Sequence, residues 1–223
     1  MQSDLALRLF LSGPAGSGKT DVARLLEEQH HFCRVSLGDL CRAECARRGW
    51  PQDRPHLQRA GELLRQGNPA ALAALALAQV LGRPGPSVIE GVRLAAEATY
   101  LRARGVIGVS VEAPAAVRAD RLRARDGSGR VPEHRTEREA GALPVDLRLQ
   151  NDHGDRAALA RQVRVAVGRA VIIHAERLGR DLGLSPAGRL AVRQHGDDLD
   201  RIARSAGRST ARAGHRDRGG FER

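Results

Sequence analysis

Aromatic residues are nearly missing from this chain: one Trp, one Tyr and three Phe in 223 residues. That argues against modules that hold single-stranded nucleic acid by stacking bases on exposed rings, and it leaves the core to aliphatic side chains. Lysine is scarcer still. Lys19 is the only one, so the rest of the 37 Lys and Arg residues are arginine. A bias of that size reflects a GC-rich genome, so the formal charge of +11 is weak evidence for a nucleic-acid partner. It does predict a surface that favours phosphates. The three cysteines, Cys33, Cys41 and Cys45, are odd in number and fit neither a zinc spacing nor CxxC. They read as free thiols in a reducing cytoplasm. No apolar run is long enough to span a membrane. Leu5 to Leu11 is too short for the apolar part of a secretion signal and runs straight into a glycine-rich loop. The expected location is therefore cytoplasmic, with no membrane partner.

What is present is an alternation of strands and helices. The length suits one α/β core, with little left for a second full domain. Apolar runs predict strands at 5–11, 33–37, 87–90, 106–111 and 145–149. Helical periodicity is seen after the loop at 13–20 to about Gln29, then at 39–48, 55–66, 69–81 and 94–104. It returns from Pro114 to about Arg125 and again from near Arg156. Such an order predicts a parallel sheet covered on both faces. Residues 126–134 are polar and contain glycine, which predicts a mobile loop, with a short helix to Ala140. One more helix is expected within 186–205. From Ala206 the chain is Arg, Gly and Ser with few apolar residues, the composition of a disordered basic tail.

The first strand leads into Gly13-Pro-Ala-Gly-Ser-Gly18-Lys19-Thr20, the phosphate-binding pattern G-x-x-x-x-G-K-[ST], and a helix follows. Glycines let the backbone curl until several N–H groups point at one anion, and the helix start adds its positive dipole end. Gly13, Ala15, Gly16, Ser17 and Gly18 are therefore expected around a nucleoside triphosphate. Lys19 neutralises its β- and γ-phosphates, and the Thr20 hydroxyl ligates Mg²⁺. That the chain spends its single lysine here strengthens the reading. The loop alone names no reaction. Switch-type GTPases need Asn-Lys-x-Asp, which a chain with one lysine already used lacks, and motor or ring ATPases need more chain. A small phosphoryl-transfer enzyme fits the length. It needs an acceptor site, a metal-positioning acid at a strand end, and arginines over the transferring group.

Candidates for each are present. Ser87-Val-Ile-Glu90-Gly91-Val92-Arg93 places an acid at a strand end, with Glu90 to orient metal-bound water and Arg93 to grip an acceptor phosphate. The alternative for Glu90 is an ordinary strand-end carboxylate. Asp39 and Arg42 share a helix face and suit an acceptor hydroxyl or base edge and a phosphate. The alternative there is a capping Asp beside a solvated Arg. Arg118, Arg121 and Arg125 fall on one side of a helix, with Arg130, Arg135 and Arg138 beyond the loop. Like charges so spaced either await an anion or form a solvated face.

The ordered set GPAGSGKT, VSLGDLCRAECARRG, VIEGVR, VEAPAAVRADRLRAR and LQNDHGDRAALARQV resembles the nucleoside monophosphate kinase-like P-loop kinases over about residues 5–170. It is most similar to dephospho-CoA kinases with their archaeal relatives, and to phage-type deoxynucleoside monophosphate kinases. The resemblance implies a five-stranded parallel sheet with a helical acceptor-binding insert (38–82) and an arginine-bearing lid (126–138). It implies ATP and Mg²⁺ as cofactors, contact of Asn151 with the donor adenine, and catalytic roles for Lys19, Asp39, Glu90, Arg121 and Arg125. The chain departs from the pattern at Glu90, where Asp is usual, and at Thr136, where an R-D-x-x-E element has Asp. The expected layout is a kinase domain over 1–175, a helical extension over 176–205 and the basic tail over 206–223. The expected activity is transfer of the ATP γ-phosphoryl group to a (deoxy)nucleoside monophosphate, with dephospho-CoA as the alternative acceptor. A second class is a nucleotide-dependent DNA-associated protein, since from Ile202 on six arginines stand against Asp217 and Glu222. Nucleic acid is a possible partner of the tail but not the expected substrate.

Overall fold

The computed structural model describes residues 6–126, 142–152, 155–181, 183 and 185. The expected lid beyond Asp126, the short helix to Ala140, the helix within 186–205 and the basic tail lie outside the described residues. The chain divides into two compact units, residues 1–163 and 164–223. Of the second unit, residues 164–181, 183 and 185 are described.

Five strands make one sheet: β1 Arg8–Ser12, β2 Cys33–Ser36, β3 Ser87–Glu90, β4 Ile107–Glu112 and β5 Leu147–Gln150. Their order is β2-β3-β1-β4-β5, and every pairing is parallel. Seven helices are found among the described residues. They are α1 Lys19–His30, α2 Leu37–Arg47, α3 Arg54–Arg65, α4 Ala71–Leu81, α5 Ala95–Arg102, α6 Ala115–Asp126 and α7 Arg156–Asp181. The architecture is the expected α/β five-stranded parallel sheet. Its strands are apolar without alternation because helices shield both faces. Leu9, Phe10 and Leu11 of β1 are all buried, as are all four residues of β3. Gly108 of β4 is needed for this packing. A Cβ there would lie 2.5 Å from Cζ of Phe10.

The long crossover from β2 to β3 carries α2, α3 and α4. The last is apolar nearly all round and buries Leu72, Ala73, Ala76, Leu77 and Val80 in the main core. Helix α2 begins two residues earlier than the periodicity implied, because the Ser36 hydroxyl accepts the backbone N–H of Asp39 and caps the helix. Asp53 does the same for α3, accepting the N–H of His56 at 3.0 Å. Those bonds and the His56 ring hold the Asp53 carboxyl below its ordinary range. Between the two helices the Trp50 ring meets two guanidinium groups, Arg48 at 5.2 Å and Arg59 at 4.9 Å from its centre.

Strand order matters for function. The chain leaves β1 for β2, beyond β3, and later returns to β4 on the other side of β1. The carboxyl ends of strands at such a reversal open a crevice in which ligands of α/β sheets bind.

Candidate active site

The loop after β1 sits at that crevice. Gly18 adopts φ +88°, a left-handed conformation that favours glycine, and passes directly over Asn151. A Cβ at Gly18 would collide with the Asn151 side-chain nitrogen. Lys19 is the first residue of α1, and its Nζ donates to the carbonyls of Gly13 at 2.7 Å and Pro14 at 2.8 Å. The ammonium thus curls over the loop that a phosphate would fill. Gly16, Gly18, Lys19 and Thr20 line a cavity of about 840 Å³, together with Ala15.

Thr20 Oγ1 donates to Glu90 Oε1 at 2.5 Å, and Arg34 Nη1 donates to Glu90 Oε2 at 2.9 Å. Parallel pairing of β3 with β1 sets Glu90 beside Leu11, immediately before the loop, which is why residues 70 apart meet. The two oxygen groups, one hydroxyl and one carboxylate, suit a hard divalent cation such as Mg²⁺. That ion needs few protein ligands when phosphates supply the others. No cluster of three or more His, Cys, Asp or Glu with metal-holding geometry occurs among the described residues.

Arg121 of α6 is engaged with the loop. Its Nη1 donates to the carbonyls of Gly16 at 3.3 Å and Ser17 at 3.4 Å, and its Nη2 to Asn151 O at 3.1 Å and Oδ1 at 3.2 Å. Asn151 is 3% exposed and donates from Nδ2 to Ser17 O at 2.9 Å. Its side chain is spent on the loop and on Arg121. Arg121 and Arg125, one helical turn apart, both line the cavity.

The opposite half of the cavity is walled by the crossover helices. Arg42, Arg54, Gln58 and Arg65 reach it from α2 and α3, and Arg93 from the turn after β3. Asp39 is not among the lining residues. Half-exposed, it pairs with Arg42 one turn on. Cys41 also lines the cavity, and its burial pushes the thiol pKa up, which makes it a weak nucleophile. Cys45 is buried and Cys33 half-buried, all three being free thiols. Among the residues of this site that escaped the sequence reading are Arg34, Arg54, Gln58, Arg65 and Glu97. The last lies behind the wall and binds Arg65. Only Glu97 left a trace, as an acid in the first turn of a helix.

A phosphate loop after the central strand, an acid at the end of the neighbouring one and an arginine-lined helical crossover define the P-loop kinase fold. The chain belongs to the family described as AAA domain, whose model matches residues 9–140. A UPF0200 protein of Aeropyrum pernix is 36% identical over 132 residues, 58% of this chain and 70% of that relative. A protein named cytidylate kinase from Methanocella arvoryzae is 32% identical over 137 residues, 61% of this chain and 71% of that relative. Among solved structures, a Chloroflexus aurantiacus protein covers 75% of this chain and 98% of its own at 18% identity, with a TM-score of 0.51. That likeness supports the fold alone. Among the described residues no helix is long and apolar enough to cross a membrane.

Proposed function

We propose that this chain transfers the γ-phosphoryl group of ATP to a nucleoside monophosphate. The observation that carries the reading is the charge of the cavity. Seven cations line it (Lys19, Arg42, Arg54, Arg65, Arg93, Arg121 and Arg125) against Asp21, Glu62 and Glu90. Four of the seven belong to the half away from the phosphate loop. On the cavity wall of that half the four guanidinium groups outnumber the one lining carboxylate, Glu62, and a phosphate monoester matches them in charge and in paired geometry. The cytidylate kinase relative points the same way.

The roles follow from position. Gly13 to Thr20 cradle the donor phosphates, and Lys19 moves from the loop carbonyls to them. Thr20 and Glu90 would hold Mg²⁺, which when bound neutralises charge on the β- and γ-oxygens. Asn151 supports the donor site by fixing the loop. Arg42 and Arg93 bind the acceptor phosphate, and Arg121 and Arg125 meet the charge that builds between donor and acceptor. Asp39 orients Arg42. An acceptor phosphate oxygen is already anionic and needs no general base. An acceptor hydroxyl, as in dephospho-CoA, would need one, and the candidate, Asp39, is paired with Arg42.

The test is ADP release from ATP·Mg²⁺ with a panel of ribo- and deoxynucleoside monophosphates, dephospho-CoA and uncharged polyols. Turnover with a nucleoside monophosphate, cytidine first, is expected. Turnover confined to dephospho-CoA or a polyol, or ADP release that only DNA stimulates, would overturn the reading.

A further inference from the structure

Behind the acceptor half of the cavity lies a carboxylate sealed from solvent. Glu97, third residue of α5, has 0% exposure and accepts four hydrogen bonds. Its Oε2 takes the backbone N–H groups of Arg93 at 3.0 Å and Leu94 at 3.1 Å. Its Oε1 takes Arg65 Nη2 at 2.8 Å and Nε at 3.3 Å. The first pair is a helix N-terminus closed by an acid at the third position. The second is not explained by capping, since Arg65 comes from α3, 32 residues earlier. A cap alone would do its work half-exposed. A fully buried carboxylate costs several kcal/mol unless paired, so burial here commits Glu97 to Arg65.

Two of the three partners of Glu97 face the site. Arg65 and Arg93 line the cavity and Glu97 does not. The arginines arrive on separate elements, one on α3 and one on the turn after β3, and a single carboxylate holds the guanidinium of one and the main chain of the other. Glycine at position 61 fits the same arrangement. Gly61 is buried in the interior of α3, where glycine costs about 1 kcal/mol relative to alanine. A Cβ at that position would press on Arg65 Nη1 at 3.1 Å. Its absence lets the guanidinium lie back along the helix and reach Glu97 with Nε and Nη2, leaving the Nη1 edge over Gly61 on the cavity wall.

We propose that Glu97 is a positioning residue for the acceptor: it fixes Arg65 relative to Arg93, so that the two present one seat for a doubly charged oxyanion. The proposal rests on the nucleoside monophosphate reading for the identity of the acceptor, while the seat itself requires only a phosphate group.

The experiment compares wild type with Glu97→Gln, Arg65→Gln, the double variant and Gly61→Ala. Steady-state constants are measured for ATP and for the best monophosphate. Binding of inorganic phosphate is measured by calorimetry on protein saturated with a non-hydrolysable ATP analogue. Glu97→Gln keeps an oxygen for the cap and removes the charge that orients Arg65. The acceptor KM should rise about tenfold, the equivalent of one charge-assisted hydrogen bond, with kcat and the KM for ATP little changed. The double variant should be no worse than Arg65→Gln alone, because Glu97 acts through Arg65. Phosphate affinity should fall in step. Gly61→Ala, which leaves the carboxylate untouched, should show the same acceptor-selective defect and keeps the test open if Glu97→Gln does not fold. An unchanged acceptor KM, or equal rises for acceptor and ATP with a lowered Tm, would reduce Glu97 to a cap and overturn the proposal. If wild type turns over no monophosphate, the functional reading fails and phosphate binding still decides. Binding by wild type that Glu97→Gln loses sustains the seat; equal binding, or none, overturns it.

Discussion

Glu90 is held from two sides, by the Thr20 hydroxyl at 2.5 Å and by the Arg34 guanidinium at 2.9 Å. The second contact sets a cation against the acid that we assign to Mg²⁺. Arg34 also lies 3.9 Å from Glu27, so a second carboxylate is within its reach. Replacing Arg34 by Met removes the competing charge. The Mg²⁺ concentration for half-maximal ADP release should fall roughly three- to tenfold, about the worth of a partly exposed ion pair. Mn²⁺ binding followed by electron paramagnetic resonance should tighten in parallel. No change in either titration would remove Arg34 from the metal balance.

Lys19→Ala tests the phosphate loop. The ammonium donates to the loop carbonyls of Gly13 and Pro14, at the cavity rather than in the main core cluster. Phosphoryl transfer should fall by at least about 10²–10³-fold, as for loss of one aligned charge-stabilising donor. Tm should move by no more than about 2–4 °C. Retained activity would sink the kinase reading.

Asn151→Leu removes the brace between the loop and Arg121. Ser17 O loses the shorter of its two donors and Arg121 loses one of its acceptors, which costs about 1 kcal/mol or more. ATP affinity, measured by calorimetry, should drop together with Tm. The acceptor KM should be affected less, since Asn151 lies on the donor side. A variant with normal ATP affinity would show that the loop holds its shape unaided.

Glu44 gives a pH signature remote from the site. Side-chain bonds from Arg47 and Arg48 hold its pKa at about 2, below the ordinary carboxylate value. A carboxylate with a depressed folded pKa adds stability above its unfolded pKa, and that contribution fades as pH falls toward the folded one. The Tm gap between wild type and Glu44→Gln should therefore be full at neutral pH and close between about pH 4.5 and 2. A gap independent of pH would mean that the variant acts by some other route.

The sequence made the phosphate loop and the strand ends legible because each is a local statement. A glycine spacing, an apolar run and an acid at its end are written in consecutive residues. Arg34, Arg65 and Glu97 were hidden for the opposite reason. Arg34 meets Glu90 only through the register of β2 on β3, which sets Ser36 beside Glu90. Arg65 meets Glu97 only through the packing of α3 near the start of α5. Both arginines look like solvated helix or strand positions until the partner is in place. Asn151, which the family pattern marks for the donor adenine, also bonds Ser17 and Arg121, two contacts that no local pattern shows.

The pairing of Trp50 with Arg48 and Arg59 has an optical consequence. The chain has no second tryptophan, so ultraviolet emission at long wavelengths arises from one point, on the link between α2 and α3. Arg54, four residues on, lines the cavity. The protein therefore carries a built-in fluorophore beside its crossover helices and none on its phosphate loop. A change in long-wavelength emission reports on that link, with no label to attach.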